Sequence, residues 1–180
     1  MKKTWLKTIA RTTLAMLMLA VFAQSSAFAQ DEAHEEKSAE QRQADSSAQQ
    51  AKARRLEGVW DVQVTRLNCQ TGAVIATVPA MLTYMRGGTM SDWGTGTAPS
   101  QRSPGMGVWS YESGRNYTSA FQFFRYNPDG TLAGRQVVRN QIVLSDSGSS
   151  FDVTTTAQIL DLNGNVIANN CSTGVGTRFE

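Results

Sequence analysis

Histidine is almost missing. The 180-residue chain has one, His34, beside Glu35 and Glu36. From residue 56 onward there is no imidazole at all. That removes the Ser-His-Asp arrangement, the Cys-His pair and most zinc sites from the bulk of the protein. Lysine is missing from the same stretch. Its eight cations are all arginine, they are spread along the chain, and nine acids offset them. A nucleic-acid-binding stripe is excluded on that account. No segment after residue 56 carries an apolar stripe of helical period, and no internal repeat of useful length is present. No apolar run is long enough to span a bilayer comfortably.

The longest apolar run, residues 12–23, follows a start that carries Lys2, Lys3, Lys7 and Arg11 and no acid. Ala27-Phe28-Ala29 supplies a small-x-small cleavage pattern. This is the layout of a secretory signal peptide, with cleavage expected after Ala29. No cysteine follows the run, so no lipid anchor is expected, and the mature chain should have no stable membrane anchor. Four of the 17 basic residues leave with the signal, so the mature chain carries 13 basic against 15 acidic residues. The destination is periplasmic or secreted, and the basic balance of the precursor says nothing about partners.

Residues 30–55 are rich in Gln, Ala, Ser, Glu and Lys, with no aromatic and no β-branched residue. Such a segment buries too little apolar surface to offset its ordering entropy. Its composition permits a partial helix. It reads as a disordered or partly helical tail, and His34 within it as solvated. Residues 56–180 then form one domain, large enough to bury roughly two-thirds of its unfolded surface.

In that domain the hydrophobic period is two. Trp60, Val62 and Val64 alternate with Asp61, Gln63 and Thr65. Similar runs recur between turn residues. Eight strands are predicted, over 57–68, 77–86, 89–95, 105–112, 116–126, 131–144, 151–161 and 165–179. Arg86-Gly87-Gly88 and Glu112-Ser113-Gly114 read as tight hairpins. Asn127-Pro128-Asp129-Gly130 fits a type I turn followed by a left-handed glycine, and Asn163-Gly164 a type I′ turn. The longest gap, residues 96–104, is expected to be a mobile loop. Eight strands joined this way form a meander, whose two open edges would invite aggregation. Closure removes them. The expected fold is all-β: a closed antiparallel up-and-down eight-stranded barrel with a flexible N-terminal tail.

Closure makes the first and last strands antiparallel neighbours, and the two cysteines test it. Cys69 and Cys171 both lie in the exported part, where an even pair favours a disulfide. Placing them opposite each other sets Trp60 against Glu180 and Val62 against Arg178. Arg178 then shares a face with Trp60, one diagonal step away, where a guanidinium can lie on the indole. Gly58 lets the chain bend or approach closely there.

With Gly58, Trp60 and Arg178 in these places, the chain resembles the lipocalins and the wider calycin group. Those families carry Gly-x-Trp on the first strand and an Arg on the last that packs over the Trp. The resemblance is one of architecture. No Thr-Asp-Tyr-like motif is present, and the C-terminal helix of that family is missing. The layout is equally similar to avidin-like and allene-oxide-cyclase-like barrels.

The chemistry available is sparse. Asp92 and Glu112 lie near strand ends and could meet at a barrel mouth, which makes them the candidate acid–base pair. The other acids fall at turns or on water-facing positions. Gly94-Thr95-Gly96, Gly105-Met106-Gly107 and Gly174-Val175-Gly176 precede no helix, so they fit bends and tight strand packing, not a phosphate cradle. No residue pattern requires a metal or a cofactor. The aromatic residues are more informative. Tyr84, Trp93, Trp109, Phe121 and Phe123 are candidates to line a cup for a small, largely apolar ligand, with Ser119, Asn140 and Thr155 as inward polar anchors. The same rings would serve equally as a solid core. Three functions stay open: a binding protein with the 96–104 loop gating its mouth; an isomerase or cyclase, as resemblance to the allene-oxide-cyclase barrels implies; and an envelope structural protein with a filled barrel.

Overall fold

The computed structural model describes residues 40–180. The expectations placed on residues 1–39, namely the signal peptide, His34 and the start of the tail, lie outside the described residues. The chain divides into two compact units, Met1–Gln49 and Gln50–Glu180. Of the first, residues 40–49 are α-helical. In the second, residues 50–53 are helical and lead into a 3-10 turn, Arg54–Leu56.

Eight strands follow: β1 Gly58–Leu67, β2 Val74–Tyr84, β3 Thr89–Gly94, β4 Gly105–Ser113, β5 Asn116–Tyr126, β6 Leu132–Leu144, β7 Ser150–Leu160 and β8 Val166–Arg178. Each pairs antiparallel with its sequence neighbours, and β1 pairs with β8 to close the barrel. The architecture is that of a lipocalin-like up-and-down barrel. Alternation along each strand sends one set of side chains inward, and these inward positions are where the buried residues fall.

Closure occurs in a register two residues away from the expected one. Trp60 sits opposite Arg178 and Val62 opposite Gly176. The cysteines are joined, with Cα atoms 5.3 Å apart, but they are not cross-strand partners. Leu67 faces Cys171, while Cys69 lies beyond the end of β1 in the turn closed by the Gly72 amide on the Asn68 carbonyl. The disulfide is therefore a diagonal reach from turn to strand. A shift of two residues preserves parity, so every side chain keeps its face.

The Asn163-Gly164 turn also differs from expectation. A type I′ turn needs both central residues at positive φ, and no residue other than glycine has positive φ among those described. Asp161 explains the choice. Its carboxylate accepts the amides of Asn163 and Asn165 at 2.9 and 2.8 Å. This favours a type I turn with only Gly164 left-handed, at φ +85°.

The closed end of the barrel is solidly filled. Trp60, Tyr84, Met90, Tyr117, Ile142, Leu144 and Phe151 are almost completely buried, and Leu56 of the 3-10 turn packs among them. The Trp60 ring lies 4.9 Å from Phe151, and Tyr84 meets Trp109 edge-on at 6.0 Å. Glycines on neighbouring strands allow close packing, Gly176 beside the Phe151 ring and Gly107 against the β5 backbone. A Cβ on Gly176 would stand 2.3 Å from Cζ of Phe151. A Cβ on Gly107 would stand 2.0 Å from the Ala120 carbonyl oxygen.

The Gly-x-Trp segment belongs to this plug. The Trp60 indole N–H donates to the Leu56 carbonyl at 2.9 Å, holding the 3-10 turn over the barrel end. The Arg178 guanidinium lies 4.3 Å above the Trp60 ring and donates to the carbonyls of Arg55, Glu57 and Gly148. Gly58 adopts φ +128°, and any Cβ there would meet Nη1 of Arg178 at 2.7 Å. Glycine is thus required twice over, by backbone conformation and by the guanidinium beside it.

Candidate functional site

The opposite half of the barrel is not filled. A cavity of about 240 Å³ opens at that end. Its wall is mainly aliphatic, with Val62, Val64, Ala80, Leu82, Val138, Val153, Ala157 and Ile159, and carries the rings of Phe121 and Phe123. These are the inward positions of β1, β2, β5, β6 and β7. The taper of side-chain volume makes the cup: rings fill the layers near Trp60, whereas alanine and valine occupy the layers above.

A polar shelf runs along β5, β6 and β7 at the base of the cup. Thr155 Oγ1 donates to Oδ1 of Asn140 at 2.7 Å, and Nδ2 of Asn140 donates to Ser119 Oγ at 3.0 Å. Ser119 and Asn140 are buried, on adjacent strands, so their hydrogen bonds satisfy groups that would otherwise be costly there. Below the shelf, the Tyr84 hydroxyl is the one buried side-chain polar atom among the described residues with no hydrogen-bond partner. Burial pushes its phenol far above the ordinary tyrosine range; the Asp92 charge acts in the same direction and the neighbouring Ser119 hydroxyl against it.

One wall of the cup holds a buried ion pair. Asp92, inward on β3, meets Nη2 of Arg102, which comes from the 96–104 loop. The same guanidinium donates to the carbonyls of Gly94 and Ser103 at 3.2 Å each and lies 3.9 Å over the Phe123 ring. Burial raises the Asp92 carboxyl above its ordinary value, and the attraction and hydrogen bond of Arg102 oppose that rise. The loop expected to be free is therefore latched to the barrel through Arg102. It is tied again where the Ser103 amide donates to the Phe124 carbonyl at 3.0 Å. Its middle forms a 3-10 turn, Pro99–Gln101, and its Gly96 and Thr97 sit on the cup rim.

The expected site residues divide into groups. Phe121, Phe123, Asn140 and Thr155 line the cup, and Ser119 stands in the shelf. Tyr84 and Trp109 are buried in the plug, not on the cup wall. Trp93 does not face the interior: it is 57% exposed on the outer surface. The reason is parity. Met90, Asp92 and Gly94 take the inward phase of β3, so Trp93 must point out.

Glu112 does not meet Asp92. It is exposed and accepts hydrogen bonds from Ser110 and Thr118, which hold its carboxyl below the usual range. Asp92 faces Gly105 at the start of β4, whereas Glu112 is near the end of that strand. Two arginines on the cup were not expected there. Arg66 continues the inward phase of Trp60, Val62 and Val64, and Arg125 that of Phe121 and Phe123. Their parity was the available signal. Arg102 gave none, because a loop residue has no strand phase.

A second concavity, of about 470 Å³, runs over Val108, Ser110, Ala120, Arg139, Gln141 and Thr154, which are mostly exposed residues of β4 to β7; the interior cup, walled by inward-facing side chains and holding the Asp92–Arg102 pair, is the better candidate site. No helix among the described residues is long and apolar enough to cross a membrane. No protein-family model matches this chain and no curated protein matches it, so what is shown is the architecture: a lipocalin-like, closed, eight-stranded barrel plugged at one end and open at the other.

Proposed function

We propose that this is an exported binding protein that holds a small, largely apolar molecule in the open half of its barrel. In this reading residues 1–29 are a signal peptide, 30–55 a tail and 56–180 the calycin-like binding domain. The supporting observation is the cup itself. A barrel selected only for stability would fill its aliphatic upper half, since voids forfeit packing energy. Here about 240 Å³ is left open above a satisfied polar shelf. The disulfide fits an oxidising compartment. The isomerase alternative would take Asp92 or Glu112 as its polar handle, but Asp92 is committed to Arg102 and Glu112 lies outside the cup.

The test is methyl-resolved NMR during titration with hexan-1-ol. Methyl signals of Val138, Val153 and Ala157 should move saturably, while those of Ile142 and Leu144 in the plug stay still. Ala157→Phe should fill the cup and abolish the shifts. Shifts confined to outward-facing methyls such as Val108, or none at millimolar alcohol, would overturn the reading.

A further inference from the structure

Charge is distributed unevenly between the cup and the rest of the barrel. Residues 56–180 hold eight arginines against nine acids. The cup holds three of those arginines, Arg66, Arg102 and Arg125, and one of the acids, Asp92. Its net charge is therefore +2 with Asp92 ionised, and higher with Asp92 protonated. Arg102 is spent on Asp92, two carbonyls and the Phe123 ring. Arg66 and Arg125 are different. Among the described residues neither takes part in an ion pair or a side-chain hydrogen bond. They stand on β1 and β5, four strands apart in the closed order, and so face each other across the mouth. Each is the last inward residue before its strand leaves the cup, directly above an aliphatic or aromatic wall.

From this arrangement, and resting on the binding-protein reading, we infer that the ligand is a small amphipathic organic anion. Its apolar body occupies the valine, alanine and phenylalanine wall, and its anionic head group lies at the mouth between Arg66 and Arg125. A guanidinium matches a carboxylate in geometry as well as charge, and charge-assisted hydrogen bonds are the stronger kind. The cup sets the size. About 240 Å³ lies just under the range of drug-sized pockets and suits a short-chain acid such as hexanoate. Longer chains would protrude past the mouth or displace the latched loop.

Isothermal calorimetry with straight-chain carboxylates of four to ten carbons and the matching alcohols tests this. Hexanoate should bind about tenfold or more tighter than hexan-1-ol, and the preference should shrink as salt is raised. Affinity should peak near six carbons. Arg66→Gln and Arg125→Gln should each lower the carboxylate-to-alcohol ratio, and the double variant should bring it near one. Both positions are at the rim and not in the plug, and thermal melts of the variants will show that they fold. Equal binding of acid and alcohol would overturn the anion assignment while leaving the cup. Binding of neither would overturn the cup and the assignment together. A preference for carboxylate that survives in the double variant would overturn the role of the two arginines.

Discussion

Removing either partner of the Asp92–Arg102 pair should be costly, and the two removals should differ in their pH dependence. Both side chains are nearly buried, with 7% and 10% of their surfaces exposed. Breaking a buried pair by deleting one member costs about 3–5 kcal/mol, because the survivor is left without compensation. With Asp92→Asn the survivor is a guanidinium, which cannot deprotonate. With Arg102→Met the survivor is a carboxyl that burial already raises above its ordinary value of 3.8. Loss of the arginine removes the influence that opposes this rise. The Arg102→Met variant also loses the stack on Phe123, worth about 1–2 kcal/mol where desolvated. A carboxyl raised in the folded state adds stability that is complete below its unfolded value and is lost as pH rises through its folded value. Urea midpoints by tryptophan fluorescence from pH 4 to 8 should therefore fall with pH most steeply in Arg102→Met, less in wild type and least in Asp92→Asn. Parallel pH profiles for the two variants would refute the reasoning. So would a cost below about 1 kcal/mol for Asp92→Asn at pH 7.5, which is the range of solvent-screened surface pairs.

Three further outcomes are expected. Replacing both cysteines by serine opens a link across 102 residues, and the chain-entropy model sets the loss at up to about 4–5 kcal/mol, read as a lower urea midpoint. Gly176→Ala should cost about 1–3 kcal/mol through overpacking against Phe151. Phe151→Leu should then cost less in that background than alone, giving a measurable coupling in a double-mutant cycle. Tyr84→Phe should be neutral or stabilising by about 1 kcal/mol, since the hydroxyl it removes is buried without a partner. A loss above about 2 kcal/mol in thermal melts would show that the hydroxyl is bonded after all.

Strand count, closure and the sulfur link were legible because each rests on local alternation and on parity. Trp60, Val62 and Val64 announce an inward face wherever the ladder partner lies. Register was less legible. The cysteines suggested direct opposition, but Cys69 had already left the strand, and nothing local marks where β1 gives way to its turn. Parity also shows where the reading of the cup slipped. Asp92 and Trp93 are adjacent on one strand and cannot both face inward, and the buried ion pair took the inner place. The division of the barrel into plug and cup was hidden, because it depends on which rings share a layer across strands. Tyr84 and Trp109, from β2 and β4, meet across the intervening β3. The Arg102 latch was beyond reach for a similar reason: its partner Asp92 is ten residues away, across a loop without periodic structure.

The central claim is that the upper barrel is a receptacle for a molecule the protein meets after export. Native mass spectrometry of protein purified without denaturant from the periplasm or culture medium tests it most directly. Wild-type protein should carry a small organic adduct that dissociates on collisional activation, and the cup-filled Ala157→Phe protein should fly without it. An adduct of equal occupancy on both proteins, or bare wild-type protein that also fails to take up hexanoate or hexan-1-ol when these are added, would contradict the claim.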